Sequence, residues 1–139
     1  SIFGFAFKAN TNGTRESPAI ELCKLLLIEG AILNIHDPQV PEEKINEEII
    51  NSLNKSKENI ENYKGKWFFK KNILDSAQDS DAVIITTDWD CYKELDWNSI
   101  AEKMRNPAWV FDTRNVLDSQ TIYPSGLNYW GVGKGYEEI

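Results

Sequence analysis

The chain has 139 residues, 41% of them hydrophobic, and a formal net charge of −7, which is enough apolar material for one core and hardly for two. That charge argues against nucleic acid as a partner, because phosphate binding relies on a positive field, and no apolar run approaches the roughly 20 residues of a membrane span. A cytoplasmic, single-domain protein is expected, and any place where its cations gather is informative.

Ser1 to Phe7 is rich in Ile, Phe and small residues and carries no charge, as expected of a strand buried on both faces. A chain that opens inside a central strand, with no preceding cap or turn, is expected to be a piece cut from a longer polypeptide. The polar run Lys8-Ala9-Asn10-Thr11-Asn12-Gly13-Thr14-Arg15-Glu16 follows. Ser17 then suits a helix N-cap and Pro18 the first helical position, where its missing N–H costs nothing. Ile20, Cys23, Lys24, Leu27 and Ile28 fall on or near one stripe at helical spacing, widened by Leu22, Leu25 and Leu26. Gly30 supplies a left-handed C-terminal cap.

Ala31 to His36 reads as a second strand ending at Asp37-Pro38, where proline biases the preceding residue away from helix. Strand, helix and strand together span roughly 30 residues, which matches a right-handed βαβ crossover. An acid at the carboxyl end of the second strand, here Asp37, can take ribose hydroxyls in dinucleotide-binding folds. The loop after the first strand lacks the Gly-x-Gly-x-x-Gly run used against pyrophosphate, so a standard NAD site is not expected.

From Pro41 to about Lys66 the chain is polar, with Ile45, Ile49, Ile50 and Leu53 keeping a helical rhythm in the first half; this reads as a surface helix and a variable excursion. Trp67 to Phe69 suits a short strand, Asn72 to Gln78 a short helix capped by Asn72, and Ala82-Val83-Ile84-Ile85 a buried strand. Asp96 to Met104 reads as a helix with Ile100 and Met104 inward, Trp109-Val110-Phe111 as a strand, and Leu127 to Gly131 as a final one. The fold class expected is α/β, a Rossmann-like three-layer sandwich with a mostly parallel open sheet flanked by helices.

Cys23 lies on the apolar helix stripe and Cys91 beside Asp90, a setting that opposes thiolate formation, so both read as structural. His36 is the single histidine and reads as a turn or edge residue. With no ligand-like spacing of Cys and His, no metal site is expected. Three strand ends carry polar clusters: Lys8 to Arg15, Thr86 to Asp88, and Asp112 to Asn115. In a parallel sheet they share one edge, the edge where open α/β sheets bind ligands. Lys8, Arg15 and Arg114 would bring three positive charges there, which suits a phosphate or diphosphate. The same residues also allow plain readings: Arg114 could pair with Asp112 or Asp118, Arg15 with Glu16, and Lys8 could be merely solvated, while Trp89 suits packing better than stacking.

Gly4-Phe5-Ala6-Phe7-Lys8, with Thr11 and Thr14-Arg15-Glu16-Ser17-Pro18, resembles the opening of the C-terminal domain of UDP-glucose 6-dehydrogenases, within the UDP-glucose/GDP-mannose dehydrogenase family. His36-Asp37-Pro38-Gln39-Val40, Thr87-Asp88-Trp89-Asp90 with Lys93-Glu94-Leu95-Asp96, and Phe111-Asp112-Thr113-Arg114-Asn115-Val116-Leu117-Asp118 continue the likeness in order. About Asn46 to Lys66 and the last few residues lie outside it.

The resemblance implies that residues 1–139 are a UDP-binding C-terminal domain. The remainder of such an enzyme is an N-terminal NAD-binding domain and a central helical region that carries the catalytic cysteine and dimerises, making a homo-oligomer. The implied reaction oxidises UDP-glucose to UDP-glucuronate with NAD, the cofactor being bound mainly by the other domain. This chain inherits no catalytic residue, since neither cysteine lies in a matching motif, and alone it is expected to be inactive. Phe7, Lys8 and Arg114 match positions that contact the UDP-sugar, and Arg15 matches one that reaches NAD across the cleft. Gly13 stands where the family usually has aspartate, which removes a possible capping acceptor from that loop. A UDP-N-acetyl-sugar dehydrogenase domain, or a non-catalytic nucleotide-binding or assembly module, remain as alternatives.

Overall fold

The computed structural model describes residues 1–55 and 63–133, together with the backbone of residues 135 and 136. Its strands are β1 (Ile2–Phe3), β2 (Ile32–His36), β3 (Lys66–Phe69), β4 (Ala82–Ile85), β5 (Trp109–Asp112), β6 (Asn128–Gly131) and β7 (Gly135–Tyr136). They form one sheet in the order β3-β2-β1-β4-β5-β6-β7. Every pairing is parallel except β6 with β7, a hairpin return. The helices are α1 (Pro18–Ile28), α2 (Glu42–Asn54), α3 (Ile73–Ala77), α4 (Trp97–Lys103) and α5 (Ser119–Ile122), with 3₁₀ turns at Asp90–Tyr92 and Tyr123–Ser125.

This is the doubly wound arrangement expected. The chain moves outward from β1 through β2 to β3, returns to β4, and then moves outward the other way. Right-handed crossovers therefore put the two sets of helices on opposite faces. In agreement, α1 packs on α2, whereas α3 and the turn at Tyr123–Ser125 both contact α4. The direction reverses between β1 and β4, so a crevice opens at their carboxyl ends.

Helix limits follow local chemistry. The Ser17 hydroxyl accepts from Ala19 N–H at the start of α1, Asn72 caps α3 and Asp96 caps α4 through their side chains. Of the α1 stripe, Cys23 and Leu27 are fully buried, while Leu25 is 52% exposed. Complete burial of one such leucine stabilises by about 1.5–3 kcal/mol. On α2, Ile45, Ile49 and Leu53 are buried and Ile50 faces out. The polar excursion at residues 56–62 and the chain end at 137–139 lie outside the described residues.

The first strand is shorter than the apolar run Ser1 to Phe7 suggests. Only Ile2 and Phe3 pair as strand, because Gly4 turns to φ +105° and the next two amides bond to a side chain instead of a neighbouring strand. Helix α5 and strand β7 also have no counterpart among the sequence expectations. His36, expected at a turn or edge, is 5% exposed and lies against Phe3 and Tyr92.

Gly4 is required twice over. Its dihedral is one that L side chains rarely adopt, and a Cβ there would lie 2.4 Å from both Cβ and Oγ1 of Thr87. Gly4→Ala should therefore lower unfolding free energy by about 2–4 kcal/mol, from strain and overpacking together, read as a lower urea midpoint. A midpoint equal to wild type would show that the turn has an unstrained alternative.

Candidate functional site

The exit of β1 is built by side chains from two other strand ends. Asp37, 5% exposed at the end of β2, accepts from Phe5 N–H at 2.8 Å and Ala6 N–H at 2.9 Å through Oδ2. Trp89 Nε1–H donates to the same oxygen at 3.1 Å. Oδ1 accepts from Gln39 N–H at 2.8 Å and Val40 N–H at 2.9 Å. An acid in this position is thus engaged from within, and no lone pair is left in the geometry that a standard dinucleotide site would use for ribose.

From β4, the Thr86 hydroxyl donates to Gly4 O and Thr87 Oγ1 donates to Ala6 O at 2.8 Å. From α1, Ser17 Oγ donates to Phe5 O at 2.8 Å while capping its helix. Phe7 N–H closes the following loop on Gly13 O at 2.8 Å. The backbone around Phe7 is therefore held, while the residue is 43% exposed. Lys8 beside it is exposed as well.

At β5, Asp112 is fully buried. Its Oδ1 accepts from Arg114 N–H and Val116 N–H, both at 3.2 Å. Its Oδ2 accepts from Leu117 N–H at 2.8 Å and from the Tyr129 hydroxyl at 3.2 Å. Asp112 thus shapes the loop from which Arg114 projects, and it leaves the guanidinium to reach elsewhere. Arg114 Nη1 donates to Phe7 O and to Thr86 O, each at 3.3 Å. Nη2 lies 3.7 Å from Asp88 Oδ1.

The three strand-end clusters accordingly meet at the β1/β4 crevice. Phe7, the backbone of Lys8 and Arg114 come together there. Arg15 does not join them: it lies on the other flank of the β1–α1 loop, in a depression of about 690 Å³ shared with Lys44, Glu48 and Lys55.

A family model described as the UDP binding domain of the UDP-glucose/GDP-mannose dehydrogenase family matches residues 1–119. The chain belongs to that family. UDP-glucose 6-dehydrogenase 3 of Arabidopsis thaliana is 35% identical over 150 residues, covering 99% of this chain and 30% of that protein. The UDP-glucose 6-dehydrogenase of Pongo abelii is 40% identical over 139 residues, covering 96% of this chain and 27% of its own length. This UDP-binding-domain chain therefore spans less than a third of the relatives it matches. The crystal structure of an NDP-N-acetyl-D-galactosaminuronic acid dehydrogenase from Methanosarcina mazei Go1 superposes with a TM-score of 0.72 at 20% identity, over 96% of this chain and 24% of that one. At that identity the likeness speaks for the Rossmann-like fold alone.

Several site-shaping contacts are not legible in the sequence. Asp88 accepts from Ala9 N–H at 3.0 Å, and that bond, followed by the charges of Arg114 and Lys93, keeps its carboxyl below the usual carboxylate range. Asp112 stood only as a possible partner of Arg114. The Asp-x-Arg spacing hints that a carboxylate could accept from an amide two residues on, as Asx turns do, but nothing local announces the Leu117 and Tyr129 bonds. Trp89 is 6% exposed and packs rather than offering a stacking face. Burial pushes the Cys23 thiol up to about 12. Cys91 is exposed, and its thiol is raised first by partial burial and then by Asp37 and, more weakly, Asp90. Among the described residues no group of three or more His, Cys, Asp or Glu could hold a metal ion, and no helix is long and apolar enough to cross a membrane.

His36, at the end of β2, packs against Phe3 and Tyr92. The Tyr92 hydroxyl donates to His36 O at 3.1 Å and shares a hydrogen bond of 2.8 Å with the ring Nδ1, whose direction is set by the ring tautomer. Burial lowers the His36 pKa from 6.5, against the smaller raising effect of Asp37.

Two outcomes follow for stability. Asp37→Asn keeps the shape but turns one acceptor oxygen into a donor facing amide or indole N–H groups, and should cost about 2–4 kcal/mol in urea unfolding; an unchanged midpoint would mean the five bonds are individually dispensable. Because the native His36 pKa lies below the unfolded one, the unfolded chain takes up the proton first. This contribution is complete above about pH 6.5 and declines as pH falls through the window below it. His36→Gln should flatten the loss of stability between about pH 7.5 and 5.5, and an unaltered pH profile would refute this assignment.

Proposed function

We propose that this chain is the UDP-sugar-binding domain of an NAD-dependent UDP-glucose 6-dehydrogenase, acting on the cytoplasmic supply of sugar nucleotides for polysaccharide biosynthesis. The observation that carries the reading is the Arg114 guanidinium, which spans from its own strand end to Phe7 O and Thr86 O at 3.3 Å. A planar cation thereby reaches the loop that carries exposed Lys8, at the topological switch point of a chain whose net charge is −7. Cations on these two loops suit the two phosphates of a nucleoside diphosphate, with Arg114 able to take oxygens bidentately and Lys8 acting as a point charge. The exposed Phe7 ring offers an apolar face to the base or sugar.

The division of labour in the whole enzyme is part of the same proposal. The nucleophilic cysteine and the main NAD site belong to the rest of the polypeptide, so this chain binds and orients the UDP-sugar and performs no turnover alone. NAD does not fit here in the standard way, because the loop after β1 lacks the glycine fingerprint and Asp37 is fully engaged. To Arg15, on the α2 side of the loop, this reading assigns contact with cofactor supplied from the facing domain, and the complete enzyme is a homo-oligomer. Relatives named as UDP-glucose 6-dehydrogenases at 33–40% identity support UDP-glucose as the sugar nucleotide.

Calorimetric titration tests this directly. UDP should bind the wild-type chain more tightly than UMP, and Arg114→Ala should weaken UDP by about tenfold to a hundredfold, the scale of charge-assisted hydrogen bonds. Absence of UDP binding, or equal affinity in the variant, would favour a non-catalytic assembly module.

A further inference from the structure

We propose that Asp88 is a positioning residue that sets the spacing between Lys8 and Arg114, and with it the preference for a diphosphate over a monophosphate. The inference rests on the reading of this crevice as a nucleoside-diphosphate site. Its structural half stands without any ligand.

Asp88 Oδ1 touches both sides of the crevice. It accepts from Ala9 N–H at 3.0 Å, on the residue after Lys8, and it lies 3.7 Å from Arg114 Nη2. The remaining holds on Arg114 are two carbonyl contacts at 3.3 Å through a single nitrogen, Nη1. Both are longer than the usual N–H···O range of about 2.7–3.2 Å, so on their own they hold the guanidinium loosely. The carboxylate beside the second nitrogen adds an electrostatic hold, and the same oxygen holds the loop that carries Lys8. Asp88 thus adds to the Arg114–Phe7 bond a second link between the two cation-bearing loops. Its carboxyl is held below the usual range first by the Ala9 amide, so it is charged at neutral pH. Asp88 and Arg114 side chains remain 41% and 29% exposed, which leaves both reachable by a ligand.

The arrangement has an electrostatic cost that makes the inference sharp. A carboxylate beside a phosphate site repels the ligand, and repels the more highly charged diphosphate more. If Asp88 were a passive surface acid, neutralising it would tighten UDP binding. If it positions the two cations, neutralising it loosens them, and the ligand that needs both at a set spacing loses most.

Asp88→Asn decides between these, since its side-chain oxygen can still accept from Ala9 N–H and the fold is kept, as a wild-type circular dichroism spectrum would verify. In ligand-free protein, the NMR order parameter of the Arg114 Nε–H bond should fall in the variant. UDP affinity should fall about threefold to fivefold, the scale of one partly exposed ion pair, while UMP affinity changes by less than about twofold. An unchanged Arg114 order parameter overturns the proposal whatever the ligand does. So does UDP binding that is unchanged, tighter, or weakened by the same factor as UMP. If the wild-type chain binds no UDP, the function proposed above fails instead, and the ligand-free measurement alone decides the role of Asp88.

Discussion

Asp37 connects three segments that are remote in sequence, and the geometry of the crevice depends on that connection. Its two oxygens take amides from the β1 exit, from the turn after β2, and the indole N–H after β4. A buried carboxylate is costly unless every lone pair is used and the donors are well placed. Here the donors are mostly backbone amides that the end of a parallel sheet leaves without ladder partners, so the ion and the orphan amides satisfy one another. The first strand can consequently stop at Phe3 and release Phe5 to Lys8 as a shaped loop instead of two further rungs of sheet.

Asp112 repeats the device on the other side of the switch point. Each acid sits at the carboxyl end of its strand, turns inward and gathers amides from the loop that follows. Negative charge that might oppose an anionic ligand is thereby stabilised by hydrogen bonds and withdrawn from the surface, while Lys8 and Arg114 remain outside. A strongly acidic protein can in this way present a locally cationic edge. Thr86, Thr87 and Ser17 complete the frame by donating to carbonyl oxygens of the same short segment, leaving Gly4 the space that only a missing Cβ provides.

Much of this was legible in the residues. The α1 boundaries, the cap at Asn72, and the strands at Ala82–Ile85 and Trp109–Phe111 emerge from periodicity and capping chemistry, because these are local effects. The meeting of Phe7, Lys8 and Arg114 follows once the strands are taken as parallel. The misreadings share one cause. The Ser1 to Phe7 run looks like one strand because hydrophobicity reports burial, and the segment past Phe3 is indeed buried, but its amides are bonded to a carboxylate that lies far along the chain. His36 looked like an edge residue because its partner, Tyr92, is equally distant. Arg15 belongs in sequence to the same strand-end cluster as Lys8, whereas the loop between them closes on itself through the Phe7–Gly13 bond and turns Arg15 toward α2.

The amino-acid sequence by itself determined the alternation of strands and helices, the fold class, and the family motifs that carry the three strand-end clusters, since each is written in spacing and in side-chain chemistry a few residues apart. Only the tertiary structure decided which polar groups are spent on the scaffold and which are left for a ligand. Asp37 and Asp112 are consumed by loop amides, Asp88 stands between the Ala9 amide and the Arg114 guanidinium, and Arg114 faces the crevice. Such an allocation depends on distances between loops separated by dozens of residues, and hydrogen bonds, being short-ranged and directional, take effect only after packing has brought those loops together.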